Sequence, residues 1–517
     1  MTSTIAPSSD RPHSNPSDDA DLHQLGYQPT LHRKLGRYAS FAAGFSFVSI
    51  LTTIFQLFGF GYSFAGPAFF WTWPVVLGGQ LLVALCFAEL AARYPISGAM
   101  YQWSRRVGGE TLGWFAGWFM ALAQAVTAAA AAIALQVVLP QLWSGFQMVG
   151  GDPALTSVTG ATNAVLLGAL LLVLTTLINA VGVGLMARIN SIGVTCELVG
   201  VVTVVLALLT AARRGPAVVT DTQVLQGSDL GVVGALLVSG LMAAYVMVGF
   251  DSAGELSEET HDPRRTAPRT ILSALIVSGV GGALILLTAL MAAPSLTDGN
   301  LSTAGLPYVM TAVLGTFWGK LLLVDVAIAI TVCTLAIQTA GSRLVFSMAR
   351  DGQLPFSRRL SDVDPRRGTP LWPAVVLGVV AVGLLAVNIG NPALFTTLSS
   401  VCIVLLYLAY LMLTAPLLVR RLRGWPDGEP TQEGLFSLGR WGLPVNAVAV
   451  VYGAAMVVNL AWPRPEVYDP TGEHPWLVWS APAVVLAVLA IGAVARAAAL
   501  RRSSVPAPVP AAAEPAV

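Results

Sequence analysis

The chain has 517 residues, 55% of them apolar and 11% charged, with a formal net charge of +1 and a mean hydropathy of +0.72. A soluble domain carries about 25% charged residues, so this composition excludes one and indicates a polytopic membrane protein in contact with the lipid bilayer. Nothing points to nucleic acid, because the net charge is small and no basic stripe with interleaved aromatics appears.

Residues 1–37 are rich in Ser, Pro and Asp and lack an apolar run, which predicts a disordered cytosolic tail rather than a cleaved signal peptide. Segments long enough to cross a bilayer, about 20 residues each, then lie near 39–63, 68–92, 111–139, 161–182, 185–211 and 230–254. Others lie near 268–292, 317–347, 371–389, 393–419, 443–462 and 476–500. Breakers such as GYSFAGP (61–67) and GNP (390–392) part pairs that would otherwise read as one long span. Residues 503–517 form a Pro/Ala tail with no packing face.

Twelve spans put both termini on one side, and the basic residues choose it. With both ends in the cytosol, every one of the 28 basic residues except Arg213, Arg214, Lys320 and Arg464 falls on the cytosolic side. That is the expected bias. The expected location is the cell membrane.

Two spans carry polar interruptions. In the first, FSFVSILTTIFQLFGFGYS (45–63), Ser49, Thr52 and Thr53 break an apolar run. In the sixth, YVMVGFDSAG (245–254) sets Asp251 between Gly249 and Gly254 at membrane depth. Irregular backbone survives there only where protein or water satisfies it. Interruptions at corresponding places in two halves of a chain point to a midplane binding site, because freed amides bind a carboxylate and freed carbonyls a cation. The bland alternatives stay open: Ser and Thr hydroxyls back-bonding to the preceding turn, and a buried Asp satisfied by a helix end.

Glu197 lies mid-span in INSIGVTCELVGVV (189–202) with no basic residue within a turn. The bilayer penalises its charged form, so it is expected to hold a proton at rest, either as a coupling group or as a neutral partner of a neighbouring helix. Glu89 and Arg93 read as a structural i,i+4 pair, and Asp325 as a structural partner of Lys320. Glu258, Glu259, Arg264 and Arg265 read as a cytosolic gate network or a solvated loop. Gln124, Thr334 and Gln338 are weaker cavity candidates. Cys86, Cys196, Cys333 and Cys402 all fall in apolar runs, as small core residues do.

Three blocks carry a family resemblance: GFDSAGELSEETHDPRRTAPRTI (249–271), AELAARYPISGAMYQWSRRVGGETLGWFAGW (88–118) and SRLVFSMARDGQLPFSRRLSDVDPRRGTPLWPAVV (342–376). They resemble, in the same order, segments of the amino acid–polyamine–organocation (APC) superfamily, nearest to its amino acid/choline branch. The resemblance covers roughly residues 35–500. It implies an all-α, LeuT-like core of five plus five inverted spans within 38–419, with spans one and six broken and two peripheral spans within 420–502. Ser49 is a substrate-binding candidate read from the residues alone; by position the resemblance implies that Thr52, Thr53 and Ile54 belong to an unwound carboxylate-binding segment. It further implies that Tyr245 is an aromatic gate, that Gly249 and Asp251 line the second unwound segment, and that Glu197 stands where proton-coupled relatives replace a sodium ion. Some relatives have Gly-Ser-Gly where this chain has Leu51-Thr52-Thr53.

Other classes fare worse. All five histidines lie in tails or loops, no metal-ligand spacing occurs within a span, and no phosphate-binding loop of the Walker type appears. An enzyme, an ATP-driven pump and a channel are therefore disfavoured, and a non-transporting membrane sensor is a distant alternative. The expected function is secondary import of an amino acid or a relative such as γ-aminobutyrate, by proton symport with no cofactor. A cationic amine, such as a polyamine or choline, is the alternative substrate.

Overall fold

The computed structural model describes residues 16–503 apart from 365–366, 388, 390–392, 427–433, 470–471 and 473. The Pro/Ala tail beyond 503 and the GNP breaker therefore lie outside the described residues. Among the described residues there is no β-strand, only an isolated parallel bridge between Leu35 and Thr260.

Chain order gives α1 (Pro16–Gln24), α2 (Arg37–Val48), α3 (Ile50–Ala65), α4 (Thr72–Arg93), α5 (Ala99–Gly108), α6 (Glu110–Leu142), α7 (Val158–Val181) and α8 (Val183–Thr210). There follow α9 (Gly231–Val246), α10 (Pro263–Ala292), α11 (Gly305–Arg350), α12 (Leu371–Ala386), α13 (Ala393–Leu422), α14 (Gly442–Ala461) and α15 (Ser480–Ser503). Nine helical stretches among the described residues are long and apolar enough to cross a membrane, or ten if the bent pair ending in α9 counts as one span. The stretch Arg37–Arg93 contains both of the first two expected spans, and α12 is shorter than the usual crossing length. Within α11, Gly315 takes a non-helical φ of 77°, so the span expected at 317–347 starts just past this break.

The core centres on α6, where 83% of the apolar window is buried, against 22% around α14 and 28% around α15. The run Ala128–Ala132 explains this position, since small side chains let α11 and α13 approach the α6 backbone closely. The last two helices are thus peripheral, as the family resemblance implies.

Two expectations need correction. The second half of the tail expected to be disordered, 1–37, is ordered: α1 forms, Leu22, Leu31 and Leu35 are buried, and the segment packs on the loop after α9. Helix α5, unforeseen as a separate element, is strongly amphipathic and buries Tyr101 and Trp103 under the bundle.

Candidate functional site

The first break falls at Ser49 and not at 52–54. Ser49 adopts a left-handed φ of 35°, ending α2 and starting α3. The chain returns to helix at once because the Thr53 amide and its Oγ1 both bond to the Ser49 carbonyl, at 3.0 and 2.8 Å. Thr53 is thus the back-bonded threonine of the bland reading. Thr52 and Ile54 are helical too, and the Ile54 side chain packs near Gly282 of α10 instead of facing an unwound cradle. The expected unwound segment Thr52–Ile54 is therefore displaced to Ser49.

Glu197, fully buried on α8, sits at this break. Its Oε1 accepts from Ser49 Oγ at 2.9 Å and from the Leu51 amide at 3.2 Å. The carboxyl thereby occupies the amino end of α3, where helix amides favour an anionic or strongly accepting group. Ser49 Oγ also lies 2.7 Å from Thr52 Oγ1. Both hydroxyls reach toward Cys333 of α11, whose Sγ contacts the Phe47 carbonyl at 3.6 Å.

The second break runs from Met247 to Asp251, between α9 and a single turn at Ser252–Glu255. Gly249 takes a φ of 88°, and a Cβ there would fall 1.7 Å from Phe47 Cδ1. Only glycine satisfies both constraints. The Gly249 amide donates to the Tyr410 hydroxyl at 2.9 Å, and that hydroxyl donates to Asp251 Oδ1. Asp251 is sealed from solvent, and its Oδ2 has no hydrogen-bond partner among the described residues. Tyr245 is buried about one turn earlier on α9, and Cys402 of α13 reaches Thr127 of α6. The two breaks are thus joined through Phe47 and Gly249. The surrounding polar groups come from α3, α6, α8, α9, α11 and α13.

Below this centre the loop after α9 is clamped. Glu259 pairs with Arg343 and Glu258 with Arg350, each at 2.8 Å. The expected partners Arg264 and Arg265 are not used: Arg264 pairs with Asp21 of α1 at 2.7 Å. Burial pushes the Glu259 carboxyl up from its ordinary range, and the Arg343 guanidinium opposes that rise. The N-terminal segment closes over the loop. Glu259 O accepts from the Lys34 and Leu35 amides, and Arg33 bonds to the Thr260 carbonyl. Tyr27 bonds to Asp351 and carries the Arg350 guanidinium 4.1 Å above its ring.

Other candidates separate from the centre. Gln338 bonds to Leu172 O and Thr176 of α7, and Thr334 back-bonds to Ile330. Gln124 packs against Gly341 of α11, and neither amide atom has a hydrogen-bond partner among the described residues. Glu89 does more than pair with Arg93, because Arg421, Ser437 and the Leu438 amide also bond to it. Lys320 donates to the Leu142 carbonyl and forms no pair with Asp325. Tyr410 was missed, although Tyr407, Tyr410 and Thr414 recur at helical spacing on one face.

A family model described as "Amino acid permease" matches residues 35–489. The chain belongs to this permease family. Among curated relatives, the amino-acid permease BAT1 of Arabidopsis thaliana is 27% identical, over 88% of this chain and 90% of that protein. The thiamine transporter thi9 of Schizosaccharomyces pombe is 26% identical, over 88% and 82% respectively. The crystal structure of MhsT in complex with L-phenylalanine superposes with a TM-score of 0.58 at 14% identity, over 83% of this chain and 99% of that one. This permease therefore has the LeuT-like fold within the APC superfamily. It is a multi-pass membrane transporter of small molecules and not an enzyme.

Proposed function

We propose that this permease imports an amino acid or a close relative, such as γ-aminobutyrate, across the cell membrane by proton symport. The reading includes twelve spans, two inverted five-span repeats and both termini in the cytosol. The observation that carries it is Glu197. A fully buried carboxyl, hydrogen-bonded to the break in the first span, ties proton occupancy to the geometry of the half-helix that would receive a substrate carboxylate. Ser49, Thr52, Gly249 and Tyr245 surround the proposed substrate position, and the proton gradient supplies the energy.

Asp251 favours a second reading. A sealed carboxyl with one unpartnered oxygen suits a cationic amine, such as a polyamine or choline, better than a zwitterion. A thermal-shift screen of purified protein separates the two, with the standard L-amino acids and γ-aminobutyrate in one arm and putrescine, spermidine and choline in the other. Stabilisation by the first set and transport of the stabilising compound in proteoliposomes supports the amino-acid reading. Stabilisation by the amines alone moves the assignment to the second.

A further inference from the structure

Asp325 of α11 comes to rest on α8, one turn from Glu197. A Cβ added at Gly200 would lie 1.6 Å from Asp325 Oδ2, so that carboxyl rests directly on the α8 backbone. Gly200 and Glu197 are three residues apart and share a helix face. Both carboxyls keep one buried oxygen without a hydrogen-bond partner among the described residues, Glu197 Oε2 and Asp325 Oδ2. Asp325 is half-buried, whereas Glu197 is fully enclosed.

The groups around the pair offer no positive charge. The first span contributes the Ser49 and Thr52 hydroxyls, the Leu51 amide and the Leu51 side chain. From α11 come Cys333 and Asp325 itself, and α10 meets α8 through Gly281 near Val201. No lysine, arginine or histidine acts on either carboxyl among the described residues. Two ionised carboxylates without a counter-charge are too costly in this setting, so one proton shared by the two is the inexpensive state.

We propose that Asp325 is a second proton-binding site, which loads a proton from the outer solution and passes it to Glu197. This rests on the proton-symport reading and its orientation, in which α8 runs outward from Glu197 to Gly200 and Asp325 is the outer member. In the transfer, the O–H bond at Asp325 Oδ2 breaks and one forms at Glu197 Oε2, leaving an Asp325 carboxylate to reload. The proton covers about one helical turn, ~5 Å, a distance bridged by a single water. The absent side chain at Gly200 is what lets Asp325 come this close.

The test uses the full chain in proteoliposomes with an equimolar mixture of radiolabelled L-amino acids. Uptake driven by an inward proton gradient is measured across a series of external pH values, beside counterflow without a gradient. Asp325→Asn is expected to keep counterflow while gradient-driven uptake falls and loses its dependence on external pH. Gly200→Ala, which retains Asp325 but pushes it off α8, is expected to do the same and serves if Asp325→Asn fails to fold. If both variants keep the wild-type profile while Glu197→Gln loses the drive, the Asp325 site is overturned and proton coupling at Glu197 stands. If Glu197→Gln keeps the drive, the symport reading itself fails. Drive by a sodium gradient, lost in Asp325→Asn, would make the pair a cation site and also overturn the proposal.

Discussion

Arg343 and Glu259 form an ion pair closed to solvent: Nη2 and Oε1 lie 2.8 Å apart, with 1% and 0% of the two side chains exposed. The pair joins the C-terminal end of α11 to the loop that follows the second helix break. In the proposed orientation, opening the centre to the cytosol separates these elements, and the pair is expected to form part of a cytosolic gate.

Removing one partner leaves the other charge buried and unmatched, at a cost of about 3–5 kcal/mol. Arg343→Ala should therefore lower the thermal stability of the purified protein markedly. It should also raise the labelling of a cysteine placed at Ser252 by a membrane-impermeant reagent applied from the cytosolic side. Wild-type stability and labelling in this variant would remove the pair from the gate.

The Gly249 backbone cannot accept a side chain. Gly249→Val adds bulk where Phe47 already lies and forces a branched residue into a positive φ. Uptake should vanish while the protein still inserts and runs as a single species on gel filtration. Normal uptake would place the substrate elsewhere.

Glu197→Gln mimics the protonated state and keeps the acceptor for Ser49 and Leu51. Exchange of substrate for substrate should persist, and accumulation driven by a pH gradient should disappear. Asp251→Asn should instead impair binding, because Asp251 is tied to the second break through Tyr410. Undiminished proton-driven accumulation in Glu197→Gln would pass the coupling role to Asp251.

Tyr410→Phe removes the hydroxyl that bridges the Gly249 amide and Asp251, leaving two buried groups unsatisfied at about 1–3 kcal/mol each. Substrate affinity should fall, as read by thermal shift against the stabilising ligand. An unchanged affinity would show that this bridge does not shape the site.

Topology is tested by single-cysteine labelling in a background lacking Cys86, Cys196, Cys333 and Cys402. A cysteine at Asp262 should react only from the cytosolic side, and one at Asp152 only from outside. Labelling of position 262 from outside would reverse the orientation.

Hydropathy and glycine placement are local properties, so they determined the membrane class, the position of nearly every apolar helix and the two interrupted segments. They could not place the break to the residue, because the Thr53 amide and hydroxyl both return to Ser49 and pull 52–54 back into helix. Nor could they assign partners. Lys320 and Asp325 are five residues apart, which turns them about 140° from each other on a helix, and Asp325 meets α8 instead. Arg264 and Glu259 are close in sequence, yet Glu259 pairs with Arg343. Asp251 finds Tyr410, 159 residues away. Such pairings depend on how each helix is rotated about its axis and on which distant helix packs beside it, and only the tertiary structure decides those.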